Sequence, residues 1–173
     1  GSCEFELENS SLLLHKLQLG KKILTDCFGI EPRTFVAPQD KYSRQAIELI
    51  KSRFDTFSLG WIYRKRLPKR CLPSYACKKL KKENHLHYGK LLMTEHPGCH
   101  YSKYVPREIS DTKLSSGLKE HTFTIIVTHH WEFFNSGKLN KVMWSAFKNR
   151  VEQLNADKET RFIRFSELYQ LMG

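Results

Sequence analysis

The sequence predicts an α/β fold of parallel strands joined by crossover helices, on three observations. Helix-like and strand-like segments alternate along the chain, the order that parallel strands require. One strand-like segment, Ile125 to Val127, is apolar throughout, the pattern of a parallel sheet flanked by helices. Polar and aromatic residues follow several of the strand-like segments without a break. In α/β sheets and barrels, ligands and catalytic groups gather at those carboxyl ends.

Each element has its own signal. Asn9, Ser10 and Ser11 can cap a helix from about Leu12 to Cys27, and Gly29 is placed to end it. Leu13, Leu17, Leu24 and Phe28 fall at helical spacing and predict one buried stripe. Thr34-Phe35-Val36-Ala37 reads as a strand ended by Pro38. Ser43 opens a second helix to about Phe54, with Ile47, Ile50 and Phe54 inward. Thr56 to Leu59 is the next strand, and Leu91 to Thr94 another, followed by a polar cluster from Glu95 to His100. A short helix is expected near Asp111 to Lys119.

Ile125, Ile126 and Val127 then read as a strand buried on both faces, running directly into Thr128, His129, His130 and Trp131. Leu139, Val142, Met143, Ala146, Phe147, Val151 and Leu154 keep helical spacing over four turns, the clearest amphipathic pattern in the chain. Phe162 to Phe165 reads as a last strand, and Ser166 as the cap of a terminal helix. Five such strands fit an open sheet or an incomplete barrel. The length of 173 residues suits one domain, 1–173, with a substantial core. Within it, residues 63–88 carry Pro68 and Pro73 and no convincing period, and are expected to form a basic insertion loop.

Composition narrows the function classes. The apolar and aromatic content is that of a folded domain. No apolar run approaches the roughly 20 residues of a membrane-spanning helix. Lys and Arg number 29 against 18 Asp and Glu, a formal charge of +11. Nine of those cations lie between Arg64 and Lys82, with no acid among them. Such a run attracts anionic polymers, but no RNA- or DNA-binding signature accompanies it, so nucleic acid is a minor expectation. Cys3, Cys27, Cys71, Cys77 and Cys99 are odd in number and irregularly spaced, unlike a secreted disulfide framework. Together with the missing signal-peptide pattern this favours the cytoplasm, while the compartment stays open. Cys71, Cys77, His85, His87, His96, Cys99 and His100 could be read as a structural zinc module, but their spacing matches no standard finger or ribbon.

Several of these pieces together resemble the polysaccharide deacetylases, the NodB-homology group of carbohydrate esterases. Phe35-Val36-Ala37-Pro38-Gln39 is similar to the family's strand-end motif, an aromatic followed by Arg-Pro-Pro. Ile126-Val127-Thr128-His129 is similar to its late motif, an apolar strand ending one residue before a catalytic His. The closing helix, strand and helix also match the family's usual ending. The resemblance covers most of the chain outside the basic segment. It implies an irregular (β/α) barrel and hydrolytic removal of acetyl groups from an N-acetylated sugar or glycan.

The resemblance further implies a divalent metal, usually zinc, held by an Asp and two His, with a second Asp as base. By motif position His129 takes the role of proton donor to the leaving amine, and His130 stands where the family often has Asp. Pro38 marks the strand-end motif. Trp61 and Trp131 offer flat faces for sugar rings, although Trp is largely buried on average. Nothing between Gly1 and Arg33 matches the family's Asp-Asp or His-x-x-x-His motif, so the implied metal ligands are not in this chain. Val36 and Ala37 replace the Arg and the first Pro. Two explanations compete: the chain is the later part of a longer domain and needs its upstream part as partner, or it is a relative that has lost its chemistry. A non-catalytic domain binding anionic polymer or glycan through the basic segment is the alternative function.

Overall fold

The computed structural model describes residues 9–96, 101–102 and 106–173. In chain order the elements are α1 (Ser10–Phe28), β1 (Thr34–Val36), α2 (Arg44–Lys51), β2 (Thr56–Leu59), α3 (Leu72–Lys81), β3 (His85–Tyr88), β4 (Leu91–Glu95), α4 (Arg107–Glu120), α5 (His130–Phe133), β5 (Phe134–Asn135), β6 (Lys138–Leu139), α6 (Lys141–Ala156) and α7 (Phe165–Met172). The fold is mixed α/β. Where length suggests one domain, packing divides the described chain into two compact units: residues 9–95 with 164–173, and residues 96–163.

The first unit is built on a four-stranded sheet in the order β1-β2-β4-β3. β1, β2 and β4 are parallel, with Phe35 opposite Phe57 and Phe57 opposite Met93; β3 runs antiparallel to β4. All four residues of the central strand β2 are buried, Phe57 and Leu59 on one face and Thr56 and Ser58 on the other. The helix ends also follow their signals. The Asn9 side chain accepts the Leu12 amide at 2.8 Å, Ser43 accepts that of Ala46 at 3.1 Å, and Gly29 closes α1 at φ +66°.

The core gathers Leu13 and Leu17 of α1, Ile47 and Ile50 of α2, and Phe57, Leu59, Leu91 and Met93 of the sheet. Phe35 packs its ring 5.4 Å from Phe54 and 5.8 Å from Phe57, while Tyr42 meets Phe57 edge-on. Leu24 and Phe28 do not join the stripe; both are exposed, because α1 runs past the end of the core it covers.

Three further expectations are corrected. Residues 63–88 are not a loop: two short 3-10 turns lead into α3, and β3 completes the sheet. Residues 125–127 form no strand. Ile126 is half-buried against Tyr101, Leu114 and Leu154, so its apolar neighbourhood comes from helices rather than a ladder. Residues 162–164 form no strand, and α7 starts at Phe165 with Arg164 rather than Ser166 at its cap.

The second unit packs α4 and α6 around Tyr101, Leu114, Phe147 and Leu154, with the small β5-β6 hairpin before α6. Met143, Ala146, Phe147, Val151 and Leu154 keep the expected stripe, but Val142 is exposed and Leu139 lies in β6. No described helix is long and apolar enough to cross a membrane.

Candidate functional site

The carboxyl ends of β1 and β2 are tied together by the chain that leaves them. After Val36 the backbone passes Ala37 and Pro38 into a short 3-10 turn, in which Gln39 and Asp40 both adopt positive φ, 53° and 56°. Left-handed backbone costs a non-glycine residue roughly 1–2 kcal/mol. The turn aims the Asp40 carboxylate across the sheet, where Oδ1 accepts the Gly60 amide at 2.7 Å. A Cβ at Gly60 would lie 2.5 Å from Asp40 Oδ2, so only glycine lets the two segments approach this closely.

The next three residues are held as firmly. The Tyr42 hydroxyl donates to the Trp61 carbonyl at 3.0 Å and accepts the Tyr63 amide at 2.9 Å. Glu95, at the end of β4, accepts the Ile62 amide at 2.9 Å through Oε1. Its Oε2 accepts from Lys78 Nζ at 2.7 Å, and the Lys78 side chain is only 3% exposed. Burial pushes the Tyr42 phenol up to about 12, so it stays a neutral donor. The Trp61 side chain nevertheless remains 51% exposed on this fixed segment.

Of the residues that the sequence places in a site, Pro38 and Trp61 belong to the first unit, and His129, His130 and Trp131 to the second. Within each unit the residues are close. Pro38 opens the turn that carries Asp40 to Gly60, next to Trp61. His129 lies flat on Trp131, with ring centroids 4.3 Å apart and 19° between planes, and His130 meets the same indole edge-on at 5.1 Å. His129 is the residue before α5, so it ends an extended approach and the helix turns Trp131 back over it. Its Nδ1 is buried without a hydrogen-bond partner among the described residues. Trp131 is 50% exposed. An open cleft of about 500 Å³ in this unit is walled by Tyr101, Arg107, Ser110, Lys141, Met143 and Asn149, not by the His129 group.

Asp40, Tyr42, Lys78 and Glu95 were not legible as partners in the sequence. Glu95 stands in the polar cluster after an apolar strand, which is a usable signal, but Lys78 hides inside the basic run.

Among the described residues no group of three His, Cys, Asp or Glu side chains could hold a metal ion. The zinc set implied by the resemblance therefore does not fit the described residues. Cys71 is buried, which pushes its thiol up to about 11; Cys3, Cys99 and His100 lie outside the described residues. No family model matches this chain, and no curated protein or solved structure matches it.

Proposed function

We propose that this chain takes part in removing acetyl groups from an N-acetylated glycan, on an irregular (β/α) barrel architecture, with His129 as proton donor. The observation that carries the reading is the state of His129. Its imidazole is held in place by stacking on Trp131, yet its buried Nδ1 is committed to no described neighbour. A ring that is oriented but not consumed by a structural hydrogen bond is available for proton transfer. The order of the two sequence motifs supports the same reading.

In the proposed reaction the amide C–N bond breaks. Water supplies the oxygen that leaves in acetate, and His129 gives a proton to the departing nitrogen. His130 and Trp131, which pack beside His129 in the same unit, would flank the sugar. The zinc implied by the resemblance does not fit the described residues, and no step is routed through it. The test is acetate release from N-acetylglucosamine oligomers by the intact protein. His129→Ala is expected to abolish release with an unchanged circular dichroism spectrum; retained release refutes the role.

A second reading, a non-catalytic domain for anionic polymer or glycan, is favoured by one observation. Arg64, Lys65, Lys69 and Arg70 are exposed, and among the described residues no carboxylate pairs with them. Salt-sensitive binding without any acetate release would select this reading.

A further inference from the structure

The nine cations between Arg64 and Lys82 do not act as one charged face. Lys78 is internal, paired with Glu95. Arg66 lies over the Tyr63 and Tyr42 rings at 5.3 and 5.4 Å, and Lys79 over Tyr75. Lys81 approaches Glu83, and Lys82 closes α3 in a left-handed conformation. Arg64, Lys65, Lys69 and Arg70 are exposed and have no carboxylate partner among the described residues.

Two of those four, Arg64 and Lys65, follow Trp61 within four residues of the chain. The backbone from Gly60 to Tyr63 is pinned through Asp40, Tyr42 and Glu95 from three directions. Arg44 extends the clamp by donating to the Lys65 carbonyl at 3.2 Å. Arg66 lies over one face of the Tyr63 ring, which is still 49% exposed, whereas among the described residues no ring or cation stacks on Trp61. The segment thus presents a half-exposed indole on a backbone that needs no ordering when a ligand arrives, followed in the chain by two exposed cations that no carboxylate pairs with among the described residues.

We propose that residues 61–65 form a binding platform for an acidic glycan, with Trp61 stacked on one sugar ring and Arg64 and Lys65 engaging a carboxylate on the next. The proposal rests on the glycan reading above and adds the charge of the substrate. Single-stranded nucleic acid, the other polymer that joins stacking to charge, uses successive aromatic faces for successive bases. Here Arg66 already lies on the second exposed ring, Tyr63, and Trp61 is the one without a stacked cation among the described residues, which suits a disaccharide repeat better.

The 173-residue chain is titrated with three probes at low and high salt: an oligosaccharide alternating N-acetylglucosamine and glucuronate, a neutral N-acetylglucosamine oligomer, and oligothymidylate. The acidic glycan is expected to bind about tenfold more tightly than the neutral one at low salt, the worth of one charge-assisted contact, with the gap closing at high salt. Trp61→Ala should weaken both glycans. The exposed pair Arg64→Gln and Lys65→Gln should weaken only the acidic one. Equal affinity for the two glycans, or indifference to the charge variants, overturns the acidic platform while leaving glycan binding intact. Binding of neither glycan overturns both the platform and this chain's glycan contact. Tighter binding of oligothymidylate overturns the platform in favour of nucleic acid.

Discussion

Removing one oxygen from Tyr42 tests whether the segment that carries Trp61 is held as described. Tyr42→Phe keeps the ring against Phe57 and deletes two hydrogen bonds, the donation to the Trp61 carbonyl and the acceptance from the Tyr63 amide. At about 1 kcal/mol net for each bond, the variant should lose about 2 kcal/mol. Part of the loss is local, because the two groups left behind sit in one loop, so hydrogen exchange at single amides is the sharper assay. About 2 kcal/mol corresponds to about thirtyfold less protection at the Tyr63 amide, with Ile62 following as its neighbour loosens. Tyr88→Phe is the control. It removes the bond at 2.7 Å from Tyr88 to Glu48, elsewhere in the same unit, and should leave the amides of residues 60–63 unchanged. Unchanged protection at Tyr63 in Tyr42→Phe, or a loss of total stability below about 0.5 kcal/mol, would refute the clamp.

The remaining predictions concern other parts of the same argument. Lys78→Met strands the Glu95 carboxylate and should destabilise the chain by about 3 kcal/mol in urea unfolding. Adding Glu95→Gln should recover part of that loss, and a double variant no better than the single one would show that the pair is not coupled. Asn9→Ala removes the α1 cap and should cost about 1 kcal/mol, read as a lower urea midpoint with an unchanged slope. Stability should also fall at high pH. Burial holds the Tyr42 phenol at about 12 and the bond to Glu48 holds Tyr88 there, whereas an unfolded tyrosine titrates near about 10. The unfolded chain therefore loses these protons first, so the contribution is complete below pH about 10 and disappears as the pH rises through about 12. An ultraviolet titration finding every tyrosine at its ordinary value would contradict this.

How much was legible in the sequence depends on whether a signal was local. Caps were: Asn9, Ser43 and Gly29 act on backbone groups within a few residues, and the elements they bound lie close to where expected. Burial was legible too, but not its partner. Ile125 to Val127 say that the segment is covered, and β-branched runs are common in strands, yet here helices supply the cover and no ladder forms. The opposite failure occurs at α3. Its inward position at Lys78 carries an ammonium where a helical pattern calls for an apolar residue, so the period is broken in the sequence although the side chain is 3% exposed. Only Glu95, 17 residues later on another element, makes a lysine acceptable there.

The same nonlocality explains why the site was half visible. Pro38, Trp61, His129, His130 and Trp131 could be picked by residue type and place, but what holds Trp61 could not. Its fixed posture depends on Asp40 reaching Gly60 from a strained turn, and on Glu95 answering both Ile62 and Lys78. Strain of that kind persists only where the surroundings over-determine it. A loop whose sole task was to connect β2 to α3 would gain nothing from two left-handed residues, a buried ion pair and a phenol acting as both donor and acceptor. Replacing Gly60 with Ala forces the issue, because the new methyl must displace the Asp40 carboxylate or tilt the segment after β2. If that variant folds with an unaltered core and binds the glycan probes as the parent chain does, then the fixed posture of Trp61 is incidental to binding.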